Sequence, residues 1–156
     1  MNMEQRVNIW EKGKDAMGAL FHMGKYLSKS TIEKQLLHLL YYRVSQINGC
    51  GFCLDMHSKD FLAMGENPQR LYVLDAWREA PFYSDRERAA LAYAESLTKL
   101  GHSLVPDDIY QAAAKVFSEQ EMIDLTISII AINSYNRINI AFGAVVGTYK
   151  VGQYNS

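Results

Sequence analysis

Three times in this chain a serine is followed three residues later by a glutamate at the head of an apolar-periodic segment: Ser30/Glu33, Ser84/Glu87 and Ser118/Glu121. This S-x-x-E spacing lets the serine hydroxyl take the third backbone N–H of a helix while the carboxylate returns to the serine N–H, so each pair predicts a helix start. After Ser30, Ile32, Leu36, Leu39, Leu40 and Val44 recur at helical spacing, and Asn48-Gly49 predicts a turn after a helix ending near Gln46. A second helix is expected from Cys50 to Met64 with Gly65 as its stop, and a third from Pro68 through Leu71, Leu74 and Trp77 to Pro81. The Ser84 segment should run toward Gly101, Pro106-Asp107-Asp108 should open a shorter helix to Val116, and the Ser118 helix should follow. Residues 4–27 predict one amphipathic helix through Trp10, Met17, Leu20 and Phe21, and the tail after Thr148 is expected to be loose.

The chain has 3 prolines, each at a helix boundary, and few sustained period-two alternations, so it reads as all-α. Its 156 residues, 49% hydrophobic and 21% charged, suit one domain over 1–156 with a core over about 30–148 that needs no metal or disulfide staple. A net charge of −1 with dispersed Lys and Arg gives no stripe for nucleic-acid phosphates. Met122–Gly147 is the most apolar stretch, but Asp124, Asn133, Asn136, Arg137 and Asn139 interrupt it, which argues for a buried helix and against a membrane span. The polar start, Met1 to Trp10, lacks the apolar run of a secretory signal, so a cytoplasmic location is expected.

Two cysteines, Cys50 and Cys53, are the whole complement of thiols. In a reducing compartment C-x-x-C spacing points to redox chemistry or metal ligation in preference to a structural crosslink. At about 100° per residue, positions 50, 53 and 57 fall in a sector of about 60°, which turns both sulfurs and the His57 imidazole the same way. A cysteine in the first turn of a helix faces the positive end of the macrodipole, which makes Cys50 the thiol whose anion is favoured. His57 is suited to move protons near neutral pH. Against this stand a pair of small buried hydrophobes and a zinc site. Cys50, Cys53 and His57 supply three zinc ligands, and a fourth would have to come from His22 or His102 of another subunit.

The string Arg43-Val-Ser-Gln-Ile-Asn-Gly-Cys50-Gly-Phe-Cys53-Leu-Asp-Met-His57, with Trp77-Arg78-Glu79 and Ser84-Asp85-Arg86-Glu87-Arg88 after it, resembles the AhpD-like alkylhydroperoxidases of the carboxymuconolactone decarboxylase superfamily. The likeness is most specific over Ser30 to Leu100 and extends to Asn133–Arg137, where relatives often carry tryptophan at the Tyr135 position. It implies a helical bundle that assembles as a trimer or hexamer. Peroxide is then reduced by the C-x-x-C pair without haem or metal, and an external dithiol, thioredoxin-like or lipoyl, returns the electrons. In such proteins the second cysteine is the peroxidatic one and the first resolves, which maps onto Cys53 and Cys50 and runs against the helix-dipole argument. The family's proton relay also uses a glutamate twelve residues before the first cysteine, where this chain has His38. A plain hairpin about Asn48-Gly49 would bring Tyr42 level with His57 instead, so His38 is either a relay residue by resemblance or a core-edge histidine. Tyr41 and Tyr42 position substrate or pack the core, and the polar run Asn133–Arg137 is expected chiefly to satisfy buried helix ends or subunit contacts. Two other functions are open to such a chain: a redox-responsive oligomer without substantial turnover, and lactone decarboxylase-like chemistry that needs no dithiol.

Overall fold

In the computed structural model, which describes residues 4–101 and 104–154, every regular element is helical. The elements are α1 (Ile9–Lys12), α2 (Lys14–Leu27), α3 (Lys34–Asn48), α4 (Gly51–Ala63), α5 (Gln69–Tyr72), α6 (Asp85–Thr98), α7 (Asp107–Ala114) and α8 (Glu119–Phe142), with a 3₁₀ turn at Leu74–Ala76. The long α8 runs against α2, α3, α4, α6 and α7, and α3 packs on α4, α6 and α8. Leu39, Leu40, Val44, Phe61, Leu74, Leu91 and Leu125 fill the space between them and are closed to solvent. None of these helices is long and apolar enough to cross a membrane.

Two of the three serine–glutamate pairs form complete capping boxes. Ser84 Oγ accepts from Glu87 N–H at 3.3 Å while Ser84 N–H donates to Glu87 Oε2 at 2.8 Å, and Ser118 with Glu121 repeats the pattern. At Ser30 the box does not form. Glu33 is itself the cap of α3, its carboxylate accepts from Arg86 of α6 at 3.1 Å, and Ser30 Oγ takes Ile32 N–H at 3.2 Å. A long-range ion pair has drawn away the side chain that the local motif needed. The expected single helix over 4–27 is two, divided at Gly13. The helix expected from Pro68 to Trp77 is likewise broken into α5 and the 3₁₀ turn, which lets Asp75, Trp77 and Arg78 reach a buried ionic cluster.

That cluster ties α3 to α6. Arg43 Nε donates to Glu95 Oε1 at 2.7 Å and its Nη1 to Asp75; Trp77 Nε1 donates to Glu95 Oε1 and Arg78 Nη1 to Glu95 Oε2, each at 2.9 Å. Of the tail expected to be loose, Tyr149 is instead bound to α4. Tyr149 is buried, its hydroxyl donates to Asp60 Oδ1 at 2.7 Å, and Lys59 Nζ donates to its carbonyl at 3.1 Å.

Two glycines set chain reversals. Gly49 (φ 69°) closes α3 in the left-handed region, so α4 begins one residue after Cys50. Gly143 (φ 69°) closes α8 beside the N-terminal strand of chain, where a Cβ would stand 2.9 Å from the Glu4 carbonyl oxygen. Gly143→Ala therefore meets both a disfavoured backbone and a contact, and should lower the unfolding free energy by about 2 kcal/mol in denaturant titration. A change below a few tenths would show that the N-terminal segment moves aside freely.

Candidate active site

Cys50 is the N-cap of α4, with extended backbone (φ −87°, ψ 96°), and Cys53 is the third helical residue, the same cap-to-third-residue relation that Ser84 has to Glu87 and Ser118 to Glu121. Both are free thiols, and Cys50 and Cys53 are 1% and 0% exposed. Burial argues against a charged sulfur, but four donors oppose it at Cys50. The Cys53 S–H donates to Cys50, and the N–H groups of Cys53 and Phe52 in the first turn add to it, with Asn136 nearby. Together these pull the Cys50 thiol down to about 7. The Cys53 thiol is pushed up, first because ionising it would remove that donation to Cys50, then by burial and by the adjacent negative charge. In the pair the anion is therefore favoured on Cys50 over Cys53.

The third feature of this site comes from α8. Asn139 Nδ2 donates to Cys53 Sγ at 3.2 Å. Asn136, fully buried, donates to Ser45 Oγ at 3.0 Å and accepts from Asn48 Nδ2 at 2.9 Å, which also donates to Asn133. The polar run of α8 therefore does two things: Asn133 and Asn136 bond side chains in the last turn of α3, and Asn139 holds a sulfur.

His57 lies one turn after Cys53, buried, with its Nδ1 3.4 Å from Nδ1 of His38 and the two rings inclined at 67°. Its Nε2 is buried with no hydrogen-bonding partner in the protein. Burial, and then the neighbouring His38, hold the His57 imidazole well below its ordinary value; burial lowers His38 too, opposed by Asp60. His57 is thus neutral at physiological pH. In the tautomer that carries the one proton on Nδ1, facing His38, the Nε2 lone pair is free. The Tyr41 ring lies 5.0 Å from that of His57, centre to centre.

His38 is thus beside His57, and the plain hairpin geometry that favoured Tyr42 is overturned. The side chains of His38, Tyr41 and Ser45 share the face of α3 turned to α4 and α8, and this direction outweighs the level along the helix. For the intersubunit zinc alternative, His22 Nδ1 is hydrogen-bonded to the Gly18 carbonyl at 2.8 Å, and His102 lies outside the described residues.

Comparison with known proteins decides the family. The model of the carboxymuconolactone decarboxylase family matches residues 14–96, more than half of the chain and all of α2 to α5. The chain belongs to the carboxymuconolactone decarboxylase family. Within it, the uncharacterized protein YdfG of Bacillus subtilis is 43% identical over 141 residues, 90% of this chain and 96% of that one. A crystal structure from Agrobacterium tumefaciens, of a protein of unknown function named as a candidate antioxidant defence protein AhpD, is 34% identical with a TM-score of 0.88, covering 94% of this chain and 100% of the other. The debrominase Bmp8 shares the fold at 22% identity, with a TM-score of 0.78 over 88% of this chain and 74% of its own. The AhpD-like resemblance and the all-α bundle it implied both hold.

Three residues of this family member's site escaped the sequence reading: Asn139 against Cys53, Asp60 near the histidine pair, and Tyr149 on Asp60. Signals for two of them existed. Asn133, Asn136 and Asn139 recur every third residue, a polar stripe inside an apolar helix, and Asp60 follows His57 by three.

Proposed function

We propose that this chain is a thiol-dependent peroxidase that reduces small organic hydroperoxides or hydrogen peroxide through Cys53 and Cys50, using electrons from an external dithiol and no haem or metal. The observation that carries this reading is a pair of buried free thiols at the head of α4, one turn before a buried His57 whose Nε2 has no partner in the protein. In the reading, His57 Nε2 takes the Cys53 proton, and the Cys53 thiolate attacks the outer oxygen of the peroxide. The O–O bond breaks and its electron pair leaves on the alkoxide, which takes the proton back from His57 and departs as the alcohol. Cys53 is then a sulfenic acid. The Cys50 thiolate attacks it, the S–S bond forms, and hydroxide leaves as water with one proton from solvent. A dithiol donor, thioredoxin-like or lipoyl, reopens the disulfide by exchange. His38 orients His57 through its Nδ1 and stands where relatives have glutamate.

The chemistry suits a reducing cytosol. A homo-oligomer, trimer or hexamer, accompanies this reading, supported by the apolar groove of Met23, Tyr26, Ile123 and Ile127 between α2 and α8, where Ile123 is 52% exposed. The decisive experiment follows peroxide consumption by the reduced protein under excess dithiol. Wild type should turn over many equivalents, and Cys50→Ser and Cys53→Ser none catalytically. Cys50→Ser should still consume about one equivalent as a trappable sulfenic acid, because it keeps the attacking sulfur. Stoichiometric thiol loss without turnover in wild type would sink the peroxidase reading, and a sulfenic acid confined to Cys53→Ser would reverse the two sulfurs.

A further inference from the structure

We propose that His38, His57 and Asp60 form a binding site for a divalent transition-metal cation of the Zn²⁺ type, held by the two Nδ1 atoms and a carboxylate oxygen, with one position left for water. The three ligand atoms lie within 4.8 Å of one another. His57 and Asp60 are three apart on α4, so they project from one face, and His38 comes across from α3. The separation of the imidazole nitrogens is the informative number. With Zn–N bonds of about 2.0–2.1 Å, two corners of a tetrahedron stand about 3.3–3.4 Å apart. The observed 3.4 Å between the Nδ1 atoms fits that edge.

The carboxylate is already oriented. The Tyr149 hydroxyl donates to Asp60 Oδ1 at 2.7 Å, the kind of outer partner that holds a metal-binding carboxylate, and leaves Oδ2 available. Two imidazoles and one carboxylate with an open position suit zinc, cobalt or nickel and disfavour calcium and magnesium, which take oxygen ligands. The cysteines are not in the set: the ligand atoms that come together are those of His38, His57 and Asp60, and Cys53 Sγ accepts from Asn139. This site therefore differs from the zinc arrangement of Cys50, Cys53 and His57 considered from the sequence.

A cation on both Nδ1 atoms moves each imidazole proton to Nε2. His57 then has no lone pair to offer Cys53, so occupancy switches the dithiol off. That consequence rests on the peroxidase reading, while the binding site does not. The test is a Co²⁺ titration of the full-length Cys50→Ser/Cys53→Ser double variant, followed by ligand-field absorption and by equilibrium dialysis. About one equivalent per chain should bind with the visible bands of a four- or five-coordinate ion, and Zn²⁺ should displace it. His38→Gln and Asp60→Asn, added singly, should each weaken binding by about 100-fold or more, with circular dichroism and melting temperature checking that each variant folds. No binding to the double variant, binding that requires the cysteines, or binding unaltered by both added substitutions overturns the proposal. Loss of peroxide turnover in wild type would remove the peroxidase reading and leave this titration to decide the site.

Discussion

His57→Gln is expected to lower peroxide turnover by about 10²–10⁴-fold while leaving both thiols free. Glutamine is similar in size and retains a group that bonds His38, but it has no lone pair basic enough to take the Cys53 proton. The pH dependence separates this role from that of the cysteines. Cys50 is the group in the pair whose anion is favoured, with its thiol drawn to about 7, so wild-type turnover should fall as pH drops through about 7. Protonating Cys50 removes both the resolving thiolate and the acceptor of the Cys53 S–H. His57, held well below its ordinary value by burial, stays neutral across that range and adds no second inflection there. Steady-state rates against pH for both proteins check the two statements. A His57→Gln enzyme within about twofold of wild type would remove proton transfer by His57 from the mechanism.

The largest expected loss of stability lies at the ionic cluster between α3 and α6. Glu95→Ala leaves Arg43, whose side chain is 7% exposed, with only the exposed Asp75 as a carboxylate partner and takes the acceptor from Trp77 and Arg78, and should lower the unfolding free energy by about 3–5 kcal/mol. For a domain of this size that is a melting point lower by about 10 °C. The comparable ion pair of Arg86 with Glu33 has side chains 26% and 52% exposed, and its removal should cost under about 1 kcal/mol. Acid distinguishes the variants further. Burial alone would raise the Glu95 carboxyl, but donation from Trp77, Arg43 and Arg78 outweighs it and holds the group below its ordinary value. Its contribution is therefore complete above the unfolded value of about 4.3 and is lost as pH falls through the lower folded value. Glu95→Gln should flatten the acid limb of the stability curve. Urea unfolding at neutral and acid pH reads both effects, and a neutral-pH loss below about 1 kcal/mol would show that the cluster is not a fastening.

The parts of the molecule that could be read from the chain are those whose causes are local. Ser84 and Ser118 cap their helices because serine and glutamate three residues apart suffice, and the dithiol was legible because its two sulfurs and His57 lie within eight residues. The same motif failed at Ser30, where Arg86, 53 residues from Glu33, won the carboxylate. Distance along the chain also hid Asn139, 86 residues from Cys53, and Tyr149, 89 from Asp60. The position of His38 came through family likeness, because no periodicity fixes how two crossing helices rotate against each other. Likewise Trp10, Met17, Leu20 and Phe21 looked like one helical run, yet Gly13 (φ −113°, ψ 30°) leaves the helical region and divides it, a backbone choice that hydrophobic spacing does not register.

A disulfide drawn between a cap and the third residue of its helix encloses only two intervening residues. The entropy it withholds from the unfolded chain is correspondingly small, about 2 kcal/mol against nearly 5 for a loop of a hundred residues. Folding therefore does little to lock the oxidised bond. The scaffold stores almost none of the energy released by the oxidant, and the bond remains one that an ordinary dithiol can open.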